Sequence, residues 1–110
     1  MIKTAKTRYL LILSTFPRRK EAEKIAELLI QKKLSACCNL LPNLTSFFKW
    51  QGKMERSKEL LLLIKTESRL LKEVCSFLRA NHPYEVPEIV ALPIVGGDRS
   101  YLTWIHNSCR

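Results

Sequence analysis

Thr45-Ser46-Phe47-Phe48-Lys49-Trp50-Gln51-Gly52-Lys53 turns the middle of the chain back on itself. The aromatic and β-branched residues favour an extended backbone, and Gln51-Gly52-Lys53 is the obvious reversal. Upstream, Leu34 to Leu41 is extended in character until Pro42-Asn43 interrupts it; downstream, Leu60 to Ile64 is a continuous apolar run. The two arms make a hairpin from about Ser35 to Thr66, with a bend or bulge expected at Pro42. Strands usually run about five or six residues, so arms this long project beyond one small sheet. Phe47, Phe48 and Trp50 on such a ribbon need cover, and aromatics left open in this way point to a partner subunit.

The flanks repeat one pattern on either side of the hairpin. Before it, Tyr9 to Phe16 is apolar without alternation, as in a central strand buried on both faces. Phe16-Pro17 ends that strand. Arg18 to Lys33 then carries Ala22, Ile25, Ala26, Leu29 and Lys33 at helical spacing. After the hairpin, Thr66 is the expected cap of a helix over 67–81 with an apolar stripe of Leu70, Leu71, Val74, Phe77 and Leu78. His82-Pro83-Tyr84-Glu85-Val86-Pro87-Glu88 follows, stiffened by two prolines and expected to be extended, with Val86 and Glu88 facing one way. Ile89 to Val95 reads as a last strand whose Pro93 belongs at a sheet edge. Asp98 caps a short terminal helix.

Strand, helix, strand, strand, helix, strand is the split βαβ order. The fold class is therefore α+β, ferredoxin-like: two helices on one face of a four-stranded antiparallel sheet, plus a short C-terminal helix. The second and fourth strands are its edges. Residues 1–8 form a polar lead and 9–110 a single domain.

Composition narrows the function. A length of 110 residues, 46% of them apolar and only three glycine, describes a packed globule. The net charge of +9 favours anionic partners or a solvated basic face. The apolar run at Tyr9 to Phe16 is too short to span a bilayer. It ends in Pro17-Arg18-Arg19-Lys20, with no signal-cleavage pattern, so neither membrane nor secretion is expected. Nucleic acid is not expected either. An RNA-binding sheet of this topology needs aromatics on its two central strands, and Tyr9 to Thr15 and Leu60 to Thr66 are almost wholly aliphatic. Cys37, Cys38, Cys75 and Cys109 match no zinc spacing and no C-x-x-C pair, and reduced thiols fit the cytoplasm. Phosphate loops, dinucleotide glycines and nucleophile elbows are all missing, and no enzyme is expected. His82, Glu85, Glu88 and the thiols are suitable metal donors, but no spacing within one chain closes a four-ligand site.

Several fragments then fall in a familiar order: Ser14-Thr15-Phe16-Pro17, Glu21-Ala22, Ile25-Ala26, Lys33-Leu34-Ser35-Ala36-Cys37, Asn39 and Pro42. Ser46 to Trp50 follows, with Gly52-Lys53, Glu59, Ile64-Lys65-Thr66, His82 to Glu88 and Tyr101-Leu102-Thr103-Trp104-Ile105. From Leu11 to the terminal helix the chain resembles the CutA family, the divalent-cation tolerance proteins. The resemblance implies a cytoplasmic homotrimer whose long hairpin extends onto neighbouring subunits. It also implies a response to copper or another divalent cation at clefts between subunits, and no catalytic residues. The cleft residues it implies are Trp50, Lys65, Tyr84, Glu85 and Glu88, with His82 as the metal ligand. In bacterial members the copper ligands are a cysteine ending the first strand and a histidine pair before Pro-Tyr. Here those positions are Ser14, Asn81 and His82, and only His82 carries over. Cys37 compensates for Ser14 only if the fold brings it close. Phe48 stands where the family usually has tyrosine. The architecture is also similar to trimeric PII signalling proteins, so the alternative ligand of such a cleft is a small anionic metabolite or nucleotide.

Overall fold

The computed structural model describes residues 7–110, so Lys3 and Lys6 of the polar lead lie outside the described residues. The elements run β1 (Tyr9–Phe16), α1 (Arg19–Gln31), β2 (Cys37–Trp50), β3 (Lys53–Glu67), α2 (Leu71–Asn81), β4 (Val90–Ile94) and α3 (Arg99–Ser108). The sheet is antiparallel in the order β2-β3-β1-β4. Its edges are the second and fourth strands, and Pro93, opposite Leu10 on β4, blocks no ladder beyond that edge.

Alternation along the central strands sets the two faces. Leu10, Ile12 and Phe16 of β1 and Leu62 and Ile64 of β3 are buried beneath the helices. There they meet Ala22, Ile25 and Leu29 of α1 and Val74 and Leu78 of α2, each fully buried leucine contributing roughly 2 kcal/mol. The opposite face carries Leu11, Leu13, Leu61 and Leu63, which one chain leaves half-buried. β1 is therefore covered on one face only within a single chain. Its lack of alternation reflects a second apolar face, half-buried in the single chain.

Both strands of the hairpin outrun the sheet. β3 meets β1 only from Leu60 to Glu67, so Leu44–Trp50 and Lys53–Glu59 form a free ribbon reaching roughly 20 Å. At its tip Gln51 and Gly52 both have positive φ, 51° and 80°, as a two-residue hairpin turn requires. The pairing slips between Leu41 and Leu44, placing the expected bulge at Pro42-Asn43.

Three local expectations are corrected. Thr66 does not cap α2. It stays within β3, fully buried, its hydroxyl donating to the Leu34 carbonyl at 2.7 Å, and a 3-10 turn over Ser68–Leu70 precedes the helix. Lys33 is not on the helical stripe. α1 stops at Gln31, and Lys33 takes a left-handed φ of 57°. Its N–H donates to the Ile30 carbonyl and that of Leu34 to the Leu29 carbonyl, both at 3.0 Å, the two bonds of a Schellman cap. The run from His82 to Glu88 is not straight either; it bends over Pro83 to Val86.

At the far end of the sheet, Glu67 is completely buried. It accepts from Arg8 Nε (2.9 Å), Arg69 Nε (3.0 Å) and His106 Nδ1 (2.9 Å), tying α3 to β3. Burial alone would favour its protonated form, but the bonds from His106, Arg69 and Arg8 outweigh it and hold the carboxyl below its ordinary value. Asp98 caps α3 as expected, accepting the Tyr101 N–H at 3.0 Å.

Candidate functional site

The end of α2 places the first side chain. The His82 N–H donates to the Leu78 carbonyl at 2.8 Å and closes the last turn. With Pro83 next, His82 itself is extended (φ −76°, ψ 140°). Its ring crosses the end of β1, stacked on Phe16 with centroids 4.2 Å apart. Nε2 lies 2.9 Å from the Thr15 carbonyl, and Nδ1 lies 3.0 Å from the Tyr84 N–H. A carbonyl only accepts and an amide only donates, so the ring is neutral, with its proton on Nε2. Burial lowers its pKa, against the pull of the Thr15 carbonyl, Glu21 and Glu59. The Nδ1 contact also explains the bend, because it folds Tyr84 back toward its neighbour two positions earlier.

Tyr84 carries the connection onward. Its ring lies 5.2 Å from that of His82, and its hydroxyl donates to Glu59 Oε2 at 2.6 Å. Burial and then the Glu59 carboxylate push the phenol up to about 12. Glu59 sits at the root of the free ribbon and is 8% exposed.

Between the ribbon and this loop lies a groove of about 760 Å³. The ribbon supplies Phe48, Trp50, Glu55 and Ser57, the loop supplies Tyr84, Glu85, Val86 and Glu88, and Thr15 and Glu59 lie at its root. Among the described residues its charged lining is Glu55, Glu59, Glu85 and Glu88 against Arg56 alone, on a chain whose net charge is +9. Carboxylates beside aromatic faces attract cations and repel anions.

Of the residues expected at the cleft, the structure brings Trp50, Tyr84, Glu85 and Glu88 to this groove. Lys65 is elsewhere in the single chain: it lies on the open sheet face, its Nζ donating to the Tyr101 hydroxyl at 3.2 Å. His82 stands behind the groove with both ring nitrogens engaged. Cys37 and Ser14 are on opposite faces of the sheet, opposite Lys65 and Leu62 respectively, so Cys37 does not stand in for the missing thiolate. Among the described residues no three His, Cys, Asp or Glu side chains converge as a metal cage. The thiols of Cys38, Cys75 and Cys109 are raised by burial, Cys38 to about 11, and do not favour thiolate chemistry. One chain therefore does not hold the donor set for copper expected from the family.

Glu55 and Glu59 went unrecognised as groove residues. The spacing of Glu55, Ser57 and Glu59 at every second position is the signal that places them on one ribbon face. That this face meets Glu85 and Glu88 depends on the fold.

The match to the family described as CutA1 divalent ion tolerance protein covers residues 10–108. A Divalent-cation tolerance protein CutA of Thermus thermophilus is 44% identical over 97 residues, covering 88% of this chain and 94% of that one. Protein CutA, chloroplastic, of Arabidopsis thaliana is 43% identical over 101 residues, 92% of this chain and 56% of that one. The chain thus spans about half the length of the plant and mammalian relatives it matches. Among solved structures, CutA1 from Oryza sativa superposes with a TM-score of 0.92 at 39% identity, covering 94% of this chain and 95% of that one. The Thermus thermophilus protein gives 0.90 at 42% identity, covering 93% and 99%. A relative from Archaeoglobus fulgidus is described as periplasmic. Among the described residues no helix is long and apolar enough to cross a membrane. The chain belongs to the CutA1 divalent ion tolerance protein family.

Proposed function

We propose that this chain acts in divalent-cation tolerance as a cytoplasmic homotrimer that gathers copper or another divalent cation in the groove beside Trp50, Tyr84, Glu85 and Glu88. The observation that carries this reading is the sign of the groove: four carboxylates face one guanidinium on a protein that is otherwise strongly basic. One chain supplies oxygen donors but no closed shell, so a neighbouring subunit completes it. The half-buried leucines of the open sheet face and the exposed Phe47, Trp50 and Met54 on the ribbon are the surface such a neighbour would cover. Lys65, on that open face, would meet a cleft only across a subunit boundary. No reaction is assigned: binding alone accounts for the groove. Neither nucleic acid nor membrane is assigned as a partner, since the central strands present leucine, not stacking aromatics, on their open face. Four free thiols favour a reducing compartment.

Thermal shift with Cu²⁺, Zn²⁺ and Mn²⁺ beside a panel of nucleotides tests the reading. A ligand that binds only the folded state raises apparent stability, and the cations are expected to do so. Stabilisation by nucleotides alone would transfer the groove to an anionic ligand of the PII type.

A further inference from the structure

We propose that His82 is a positioning latch for the groove wall and not a metal ligand in this chain. A metal-binding imidazole offers a lone pair, and here neither nitrogen has one to spare. Nε2 carries the proton donated to the Thr15 carbonyl, and the Nδ1 lone pair receives the Tyr84 N–H. Metal at Nδ1 would orphan the Tyr84 amide, and metal at Nε2 would displace the proton shared with Thr15.

The other two positions of the expected site, Asn81 and Ser14, do not line the groove. The Asn81 amide donates to the Phe77 carbonyl at 2.8 Å within the last turn of α2. The Ser14 hydroxyl is fully buried on the helix-facing side of β1 and has no hydrogen-bond partner among the described residues.

What His82 does instead is visible in the order of contacts. Phe16, His82, Tyr84 and Glu59 form a continuous chain from the end of β1, through the loop, to the root of the ribbon. The latch fixes where Tyr84 points, and so where Glu85 and Glu88 enter the groove. It stands on this geometry independently of the cation reading.

Amide hydrogen exchange and Cu²⁺ titration on wild type, His82→Ala and His82→Asn test it. The Tyr84 amide is expected to exchange about tenfold faster in His82→Ala, the loss of one hydrogen bond. His82→Asn should restore most of that protection, because Oδ1 can accept the same amide. Copper stoichiometry is expected to be the same in all three proteins; affinity should fall in His82→Ala, where the wall is released, and match wild type within about twofold in His82→Asn, where it is held. A loss of copper binding in both variants would overturn the proposal. So would a Tyr84 amide that exchanges equally fast in wild type and His82→Ala. If no form binds copper, the cation reading of the groove loses its copper case, while the exchange comparison still decides the latch.

Discussion

Tyr84 donates its hydroxyl to Glu59 at 2.6 Å, joining the loop after α2 to the base of the free ribbon. Glu59 is nearly buried, so removal of the donor leaves a carboxylate oxygen short of a partner. Tyr84→Phe is expected to cost about 2 kcal/mol, the range for a hydrogen bond to a charged group, read as a lower urea midpoint. The phenol is raised from its ordinary value of 10 to about 12. Its contribution is therefore fully present below pH 10 and is lost as pH rises through about 12. A wild-type and variant pair whose stability difference persists beyond that window would contradict the assignment.

Glu67 is the corresponding anchor at the other end. Its carboxyl is lowered, so the stability it supplies is present above the ordinary carboxylate range and is lost as pH falls through its lowered value. Glu67→Gln keeps the shape but removes the charge that Arg8, Arg69 and His106 address. A loss of about 2 kcal/mol at neutral pH is expected, discounted because the three partners are partly exposed. The difference between variant and wild type should shrink in acid; denaturation curves at neutral and acidic pH give the comparison.

Lys33 at the end of α1 holds a conformation that glycine adopts without penalty. Lys33→Gly should stabilise the protein by about 0.5–1 kcal/mol, visible as a higher melting temperature. Destabilisation would mean that the aliphatic stem of Lys33 packs usefully.

Ser14 presents a buried hydroxyl with no partner among the described residues. Ser14→Ala removes that unmet polar group for a small loss of packing, and stability should stay level or rise by up to about 1 kcal/mol. A fall of similar size, measured by thermal melting, would reveal a partner for the hydroxyl.

Much of this architecture can be read from residues in series. The Gln51-Gly52 turn, the bulge at Pro42-Asn43, the edge position of Pro93 and the Asp98 cap each follow from local backbone chemistry, and the strand order follows from the element order. The site was only half legible. Glu85 and Glu88 stand out between prolines, but Glu59 becomes their neighbour only when the ribbon folds back. Lys65 is a cleft residue by resemblance alone; within one chain it lies on the open face, its amine on the Tyr101 hydroxyl. Thr66 looks like a helix cap because threonine before Glu67 has the right chemistry; the Leu34 carbonyl, thirty-two positions away, takes its hydroxyl instead. The bonds that satisfy both nitrogens of His82 are set by Thr15 and by the bend at Tyr84, which no spacing announces.

The trimer is the claim on which the groove depends, because one chain gives it carboxylates but not a closed shell. Native mass spectrometry of the full chain tests it most directly. A species of three times 12.8 kDa that holds together at micromolar concentration is the expected result. A spectrum dominated by a single 12.8 kDa chain would contradict the shared groove.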